Sequence, residues 1–178
     1  ATAQCGGIYN AGNGPGSLTI RHCTIADNKV LYNGSSAGLG GSTVRLSAVE
    51  SCIFTDNLKN TKTEPQVANC SITSATIFKN CLFGNGETAQ GEGSISGDAK
   101  FVSSENGDYH LQAGSDAIDK GLVSEFVTPD LEDYLIMDGK PDIGCYERQV
   151  PSITVTAEPG EWGHPDPDYG TYLNFPEG

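Results

Sequence analysis

Three stretches decide the fold: LTIRHCTIADN at residues 18–28, LSAVESCIFTDN at 46–57 and TIFKNCLFGN at 76–85. Aligned on their cysteines, they place Cys23, Cys52 and Cys81 at a constant spacing of 29. Three residues before each Cys stands an apolar residue (Ile20, Val49, Phe78), and two after it another (Ile25, Phe54, Phe83). Asn28, Asn57 and Asn85 close the segments, the third with one residue fewer. Glycine-rich stretches lie between or near them, at Gly6-Gly7, 12–16 and 38–41.

A fixed period of this length with strand-like content is the mark of a solenoid, in which each repeat buries its apolar face only against its neighbours. The reading is all-β: a right-handed parallel β-helix of about three to four coils, each turn adding a strand about 4.8 Å above the last. Equivalent residues then lie over one another. Cys23, Cys52 and Cys81 become an inward ladder with the apolar positions. Asn28, Asn57 and Asn85 become a hydrogen-bonded ladder at a corner, as amides do in other stacked sheets. Within HCTIADN, Cys23 and Ile25 share one face while Thr24 and Ala26 take the other. A Greek-key sandwich has no reason to hold a 29-residue cysteine spacing.

Composition agrees. The chain has 178 residues with 23 glycines and one methionine, and β-branched residues are common, which suits strands and turns. Six cysteines would permit three disulfides, but stacked thiols cannot all pair with one another, so Cys23, Cys52 and Cys81 are expected as buried free thiols. Cys5 and Cys70 have no repeat partner, and the state of Cys145 stays open with theirs. No C-x-x-C occurs, which argues against a structural zinc site.

The formal charge of −13 is uneven. Residues 1–97 hold six carboxylates and six Lys or Arg, whereas residues 98–178 hold seventeen against four. The excess therefore marks a boundary near Asp98. A chain this acidic without a basic stripe is a poor partner for nucleic acid. No apolar run approaches the ~20 residues of a transmembrane helix. The sequence opens Ala1-Thr2-Ala3 without an export signal, which reads as a mature or excised fragment whose N-terminal coils lie elsewhere.

From Asp98 the period ends. The blocks Phe101, Gly107-Asp108-Tyr109-His110-Leu111, Gly114-Ser115, Ala117-Ile118-Asp119, Gly121, Asp138-Gly139, Pro141, Asp142-Ile143-Gly144 and Tyr146-Glu147 follow in order. This pattern resembles the choice-of-anchor Q domain found at the C-terminal end of secreted β-helix proteins. Asp116 stands where that family has Pro, and Cys145 where it has a small residue. The coils resemble the repeats of polymorphic outer-membrane proteins: Gly6-Gly7-Ile8 is similar to their GGA-type motif, and Phe54 to Asn57 matches F-x-x-N. The resemblance implies an extracellular or cell-surface protein of a Gram-negative bacterium.

The chain thus divides into coils at 1–97, a capping module at 98–147 and an acidic Pro/Gly/aromatic tail at 148–178. The module is expected to fold over the last coil through Tyr109, Leu111, Ile118, Ile143 and Tyr146, covering an edge that would otherwise aggregate. Ser115 to Gly121 reads as a short helical turn with Ser115 as N-cap. The open N-terminal end is expected to receive further coils or a protein neighbour.

Candidate chemistry is sparse. Only Asp27, Glu50 and Asp56 are acidic within the three repeated segments. Asp27 and Asp56 would stack and could hold a cation, although turn residues satisfying their own backbone explain them as well. Arg21 and Arg45 could act as a base or sugar clamp, but solvated surface explains both. His22 has no partner at a recognisable spacing. In the module, Asp108, Asp119, Asp138 and Asp142 recur at motif positions with Tyr109 and Tyr146. They read either as Asx-turns or as a calcium site at Asp138 and Asp142. His164, beside Trp162, Asp166 and Asp168, could bind metal or a sugar ring, but an extended tail accounts for it.

Two functions follow. One is a non-catalytic end module of a secreted or cell-surface protein, acting as adhesin, scaffold or glycan-binding surface. The other is the C-terminal part of a polysaccharide lyase or glycoside hydrolase whose groove lies on coils outside this chain. The few carboxylates in the coils favour the first.

Overall fold

The structure, a computed structural model, describes residues 7–12, 15–31, 36–60, 65–72, 77–123, 129–136, 139–149, 152–155 and 170–173. Two compact units are present, Ala1–Arg148 and Gln149–Gly178. Among the described residues the chain is all-β, with one 3-10 turn at Ser104–Asn106.

The first unit is a stack of repeats. The first repeat contributes β1 (Ile8–Asn10), β2 (Leu18–Arg21), β3 (Thr24–Ala26) and β4 (Lys29–Leu31). The second contributes β5 (Leu39–Gly41), β6 (Leu46–Glu50), β7 (Ile53–Thr55) and β8 (Leu58–Asn60), followed by β9 (Pro65–Val67). The third supplies β10 (Phe78–Lys79) and β11 (Leu82–Phe83), and then comes β12 (Ile95–Ser96).

Strands of successive repeats pair in parallel, giving sheets ordered β10-β6-β2, β12-β11-β7-β3 and β1-β5, with β12 added to β11 only 13 residues on (Leu82 beside Ile95). The registers keep the period. Ile20 faces Val49 and Val49 faces Phe78, while Ile25 faces Phe54 and Phe54 faces Phe83. β9 departs from this, running antiparallel to β8 in the sheet β4-β8-β9.

Two cores result, because the central sheet is apolar on both faces. The inner core takes Ile20, Ile25, Leu39, Val49, Cys52, Phe54, Phe78, Cys81 and Phe83. Phe54 and Phe83 stack at 5.4 Å, and Phe78 meets each edge-on. Ile53 and Leu82 point the other way, into a second cluster with Ala99, Leu111, Ala117 and Ile143. Burying side chains of this size stabilises by about 1.5–3 kcal/mol each.

That second cluster corrects the expected placement of the end module. Instead of folding over the last coil, Ala99, Leu111, Ala117 and Ile143 pack on the outer face of the β3-β7-β11-β12 sheet, because alternation gives that face its own apolar residues. Pairing also changes here: β13 (Phe101–Ser103) and β14 (Asp108–Leu111) form an antiparallel hairpin. Ser115 to Gly121 forms turns rather than a helix; the Ser115 hydroxyl accepts the Ala117 N–H at 3.2 Å.

In the second unit, β15 (Ser152–Val155) pairs antiparallel with β16 (Gly170–Leu173). His164, Trp162, Asp166 and Asp168 lie outside the described residues.

Candidate functional site

The corners of the repeats are set by backbone conformation. His22, Ser51 and Asn80, each immediately before a ladder cysteine, have φ of 44°, 52° and 48°. Asp27, Asp56 and Asn85 have φ of 55°, 54° and 57°. Both are ladders of left-handed residues, and Asn and Asp tolerate that region better than other side chains.

This conformation relocates Asn85. By register it stands over Asp56, not Asn57: Asn85 Nδ2 donates to Asp56 Oδ1 at 2.8 Å, and the Asp56 N–H donates to Asn85 Oδ1 at 2.6 Å. The third segment has lost no residue; its Asn occupies the Asp position. The third rung of the amide ladder is Asn69. Asn28 Nδ2 donates to Asn57 Oδ1 at 2.9 Å, and Asn57 Nδ2 donates to Asn69 Oδ1 at 2.9 Å. Asn57 Nδ2 also reaches Ile25 O at 2.7 Å, and the ladder ends where Asn69 Nδ2 donates to Gly84 O at 3.3 Å. Asn57 and Asn69 are fully buried.

The glycine motifs serve this ladder. A Cβ on Gly7 would stand 3.2 Å from Asn28 Nδ2 and 2.6 Å from Gly38 O, and one on Gly38 would stand 3.0 Å from Asn57 Nδ2.

The cysteines stack as well. Cys52 and Cys81 are buried and Cys23 is half-buried, and none of the three is in a disulfide, nor is Cys70 or Cys145. Each ladder Sγ bonds the carbonyl two residues back: Arg21 O at 3.1 Å, Glu50 O at 3.2 Å and Lys79 O at 3.4 Å. A hydrogen bond from Cys52 holds the Cys23 thiol down at about 7. Burial pushes Cys52 well above the ordinary thiol range. Cys70 proves to have a repeat partner too, since it bridges Leu39, which pairs with Ile8 at the same 31-residue interval.

The end module clasps the first corner ladder. Leu122 N–H donates to Ser51 Oγ at 2.7 Å, Gly144 N–H to Ser51 O at 2.9 Å, and Asn80 Nδ2 to Lys120 O at 2.9 Å. Cys145 N–H reaches Thr24 Oγ1 at 3.3 Å. Gly144 allows the approach: its φ is 112°, and a Cβ there would lie 2.8 Å from both Ile53 Cδ1 and Thr24 Oγ1.

Within the module Asp142, 3% exposed, is a hub. Its Oδ1 accepts the Asp119 N–H at 2.8 Å, its Oδ2 accepts the Arg148 N–H at 2.7 Å, and its own N–H donates to both oxygens of Glu147. Asp130 Oδ2 accepts the Glu147 N–H at 2.8 Å. Burial, reinforced by the Asp142 charge, pushes the Glu147 carboxyl up to about 7. His110 is held between Asp108 at 2.6 Å and Glu132 at 3.1 Å and stacks on Tyr146 at 4.1 Å. The contact with Asp108 raises its pKa. Tyr109 OH donates to Asp27 Oδ2 at 3.1 Å, tying the module to the first repeat.

Compared with known proteins, the chain matches no family model, no curated protein and no solved structure.

The arrangement can therefore be judged by its own chemistry. The acidic residues singled out in the repeats are engaged: Asp27 with Tyr109, Asp56 with Asn85, and Glu50 with Arg21 at 2.6 Å. Glu87 receives Asn69, and burial pushes its carboxyl up. Asp138 lies outside the described residues, and Asp142 gives both carboxylate oxygens to backbone N–H groups. No group of three or more His, Cys, Asp or Glu among the described residues converges to hold a metal. His22 is half-buried with its pKa lowered by burial, and it bonds the Asp142 backbone. Arg45 donates to Gly16 O at 3.1 Å and borders an open cleft of about 260 Å³ lined also by Asn10, Pro15 and Leu18.

Sequence reasoning missed Asn69, Ser51, Asp130 and Glu147 as structural pivots. Asn69-Cys70 carried a signal, lying 31 residues after Gly38-Leu39 as those lie 31 after Gly7-Ile8. For Ser51 the left-handed corner was the clue, one residue before the Cys of the repeat.

Proposed function

We propose that this chain is the end module of a right-handed parallel β-helix of three to four coils, belonging to a secreted or cell-surface protein of a Gram-negative bacterium. Its role is non-catalytic: a scaffold or adhesin surface flanked by a segment of choice-of-anchor Q type. The observation that carries this reading is the engagement of Asp27, Glu50, Asp56 and Asp142 in structural bonds. A lyase or glycosidase needs carboxylates free to exchange protons with a sugar, and these four are committed to holding repeats and module together.

The parallel pairing at a 29-residue register supports the helix reading. The first-repeat strands β1, β2, β3 and β4 end their sheets, which supports further coils or a protein neighbour as the partner on that side. A glycan is the second partner class, and the cleft beside Arg45 is where its contacts would be mapped first.

The test is a glycan array run beside a lyase absorbance assay on acidic polysaccharides, using the full chain. The expected result is no unsaturated uronate. Its steady release would overturn the non-catalytic reading in favour of the polysaccharide lyase.

A further inference from the structure

We propose that Cys23, Cys52 and Cys81 form a thiol–disulfide relay inside the stack, with Cys52 able to bond either neighbour.

The geometry comes from register. Arg21 pairs with Glu50 and Thr24 with Ile53, so Cys23 and Cys52 stand in register between them. Lys79 pairs with Glu50 and Leu82 with Ile53, which sets Cys81 on the other side of Cys52. Backbones of neighbouring parallel strands stand about 4.8 Å apart, inside the Cα separation of roughly 4.4–6.8 Å that a disulfide spans. Cys52 is the shared neighbour: its proximity lowers the pKa of the Cys23 and Cys81 thiols, and both of them help burial to raise its own. Cys52 thus has two neighbours at bonding register and one sulfur to give. Cys23 and Cys81 are two strands apart and cannot bond each other without backbone movement.

Accessibility sets the order. Cys23 is half-buried while Cys52 and Cys81 are buried, so Cys23 reacts first with a solvent reagent. A thiol whose pKa sits near ambient pH is the best attacking group in exchange, and the hydrogen bond from Cys52 puts Cys23 there.

The oxidant is a small-molecule disulfide. Cys23 thiolate attacks one of its sulfurs and expels a thiolate, leaving a mixed disulfide. Cys52 then attacks the Cys23 sulfur, gives its proton to the departing thiolate and closes the Cys23–Cys52 bond. Two protein thiols are oxidised and one disulfide is reduced to two thiols. Cys81 next attacks Cys52 and its proton passes to the departing Cys23 sulfur, forming Cys52–Cys81 and releasing Cys23 as a thiol, with no net change in electrons.

The folded, reduced full chain is incubated with oxidised glutathione, quenched with N-ethylmaleimide and digested with trypsin for mass spectrometry. Residues 22–29, 46–59 and 80–100 then fall on separate peptides, each with one ladder cysteine. The expected result is loss of two ladder thiols per chain, with 22–29 and 80–100 each found linked to 46–59. Cys23→Ser should slow ladder oxidation at least tenfold, since the remaining pair is buried. A link at one rung only, no link, or a 22–29 to 80–100 link overturns the relay; an unchanged rate in Cys23→Ser overturns the role of Cys23 as first thiol.

Discussion

Ser51 Oγ accepts the Leu122 N–H at 2.7 Å although 71 residues separate the two. Ser51 is fully buried at a left-handed corner of the second repeat, and its carbonyl also takes the Gly144 N–H. One small residue therefore ties the stack to Leu122 through its side chain and to Gly144 through its backbone. Leaving the Leu122 N–H without a partner costs about 1–3 kcal/mol. Ser51→Ala is expected to lower the thermal midpoint and to expose the 122–145 segment to limited proteolysis before the repeats. An unchanged midpoint with unchanged cleavage would show that the second apolar cluster alone holds the segment in place.

The two asparagines that compete for the third rung make a sharper comparison. Asn69 is buried and supplies Oδ1 to both the N–H and the side-chain amide of Asn57. Asn85 is exposed and owes its place to a left-handed backbone and to Asp56. Asn69→Ala is expected to cost about 2 kcal/mol or more, because buried Asn57 donors lose their acceptor. Asn85→Ala is expected to cost about 1 kcal/mol, mainly from the backbone. Glycine separates the causes: Asn85→Gly should recover most of its loss, and Asn69→Gly none. Denaturant midpoints for the four variants decide it, and equal losses at the two sites would sink the assignment of Asn69 to the ladder.

What the sequence made legible was whatever the 29-residue register controls. Cys23, Cys52 and Cys81, with the apolar residues around them, stack where their spacing places them. Asn85 failed because matching residue types across a presumed gap is weaker than counting register, which sets it over Asp56. Asn69 was hidden by the antiparallel β8–β9 pairing, which brings the chain back to Asn57 after 12 residues rather than 29. The side-on packing of the end module was hidden for a different reason. Ile53 and Leu82 read as the outward half of an alternation, and only the fold shows that this half is covered. Of the candidate site, the motif residues Asp119 and Asp142 were visible, but their bond to each other and the hub around Glu147 depend on loop paths with no period.

The same hub bears on calcium. Asp142 Oδ1 and Oδ2 each accept a backbone N–H, and Asp130 accepts from Glu132, Tyr134 and Glu147. A calcium ion draws several carboxylate oxygens to itself at once, and here those oxygens already hold the loops. A chelator is therefore expected to leave the melting midpoint of the full chain unmoved. A fall of several degrees, restored by added calcium, would return Asp142 to the role of a metal ligand.

Glu147 makes the clasp sensitive to pH in a direction opposite to most carboxylates. Burial is the main cause that lifts its pKa from the ordinary 4.5 to about 7, with the Asp142 charge adding to it. Between those two values the unfolded chain has released the proton while the folded chain retains it, so folding takes up a proton and stability falls as pH rises. The loss begins near pH 4.5 and is complete above about 7. Because Glu147 is only half-buried, solvent screening holds the effect to roughly 1–2 kcal/mol. Glu87, raised by burial, and His110, raised by Asp108, slope the same way. Glu147→Gln isolates the hub's share, since a neutral amide removes the titration. Unfolding midpoints from pH 4 to 8 should decline less steeply in Glu147→Gln than in the native chain, the two curves diverging most at the upper end. Parallel curves would mean that Glu147 ionises as an ordinary surface carboxylate and that the decline belongs to Glu87 and His110.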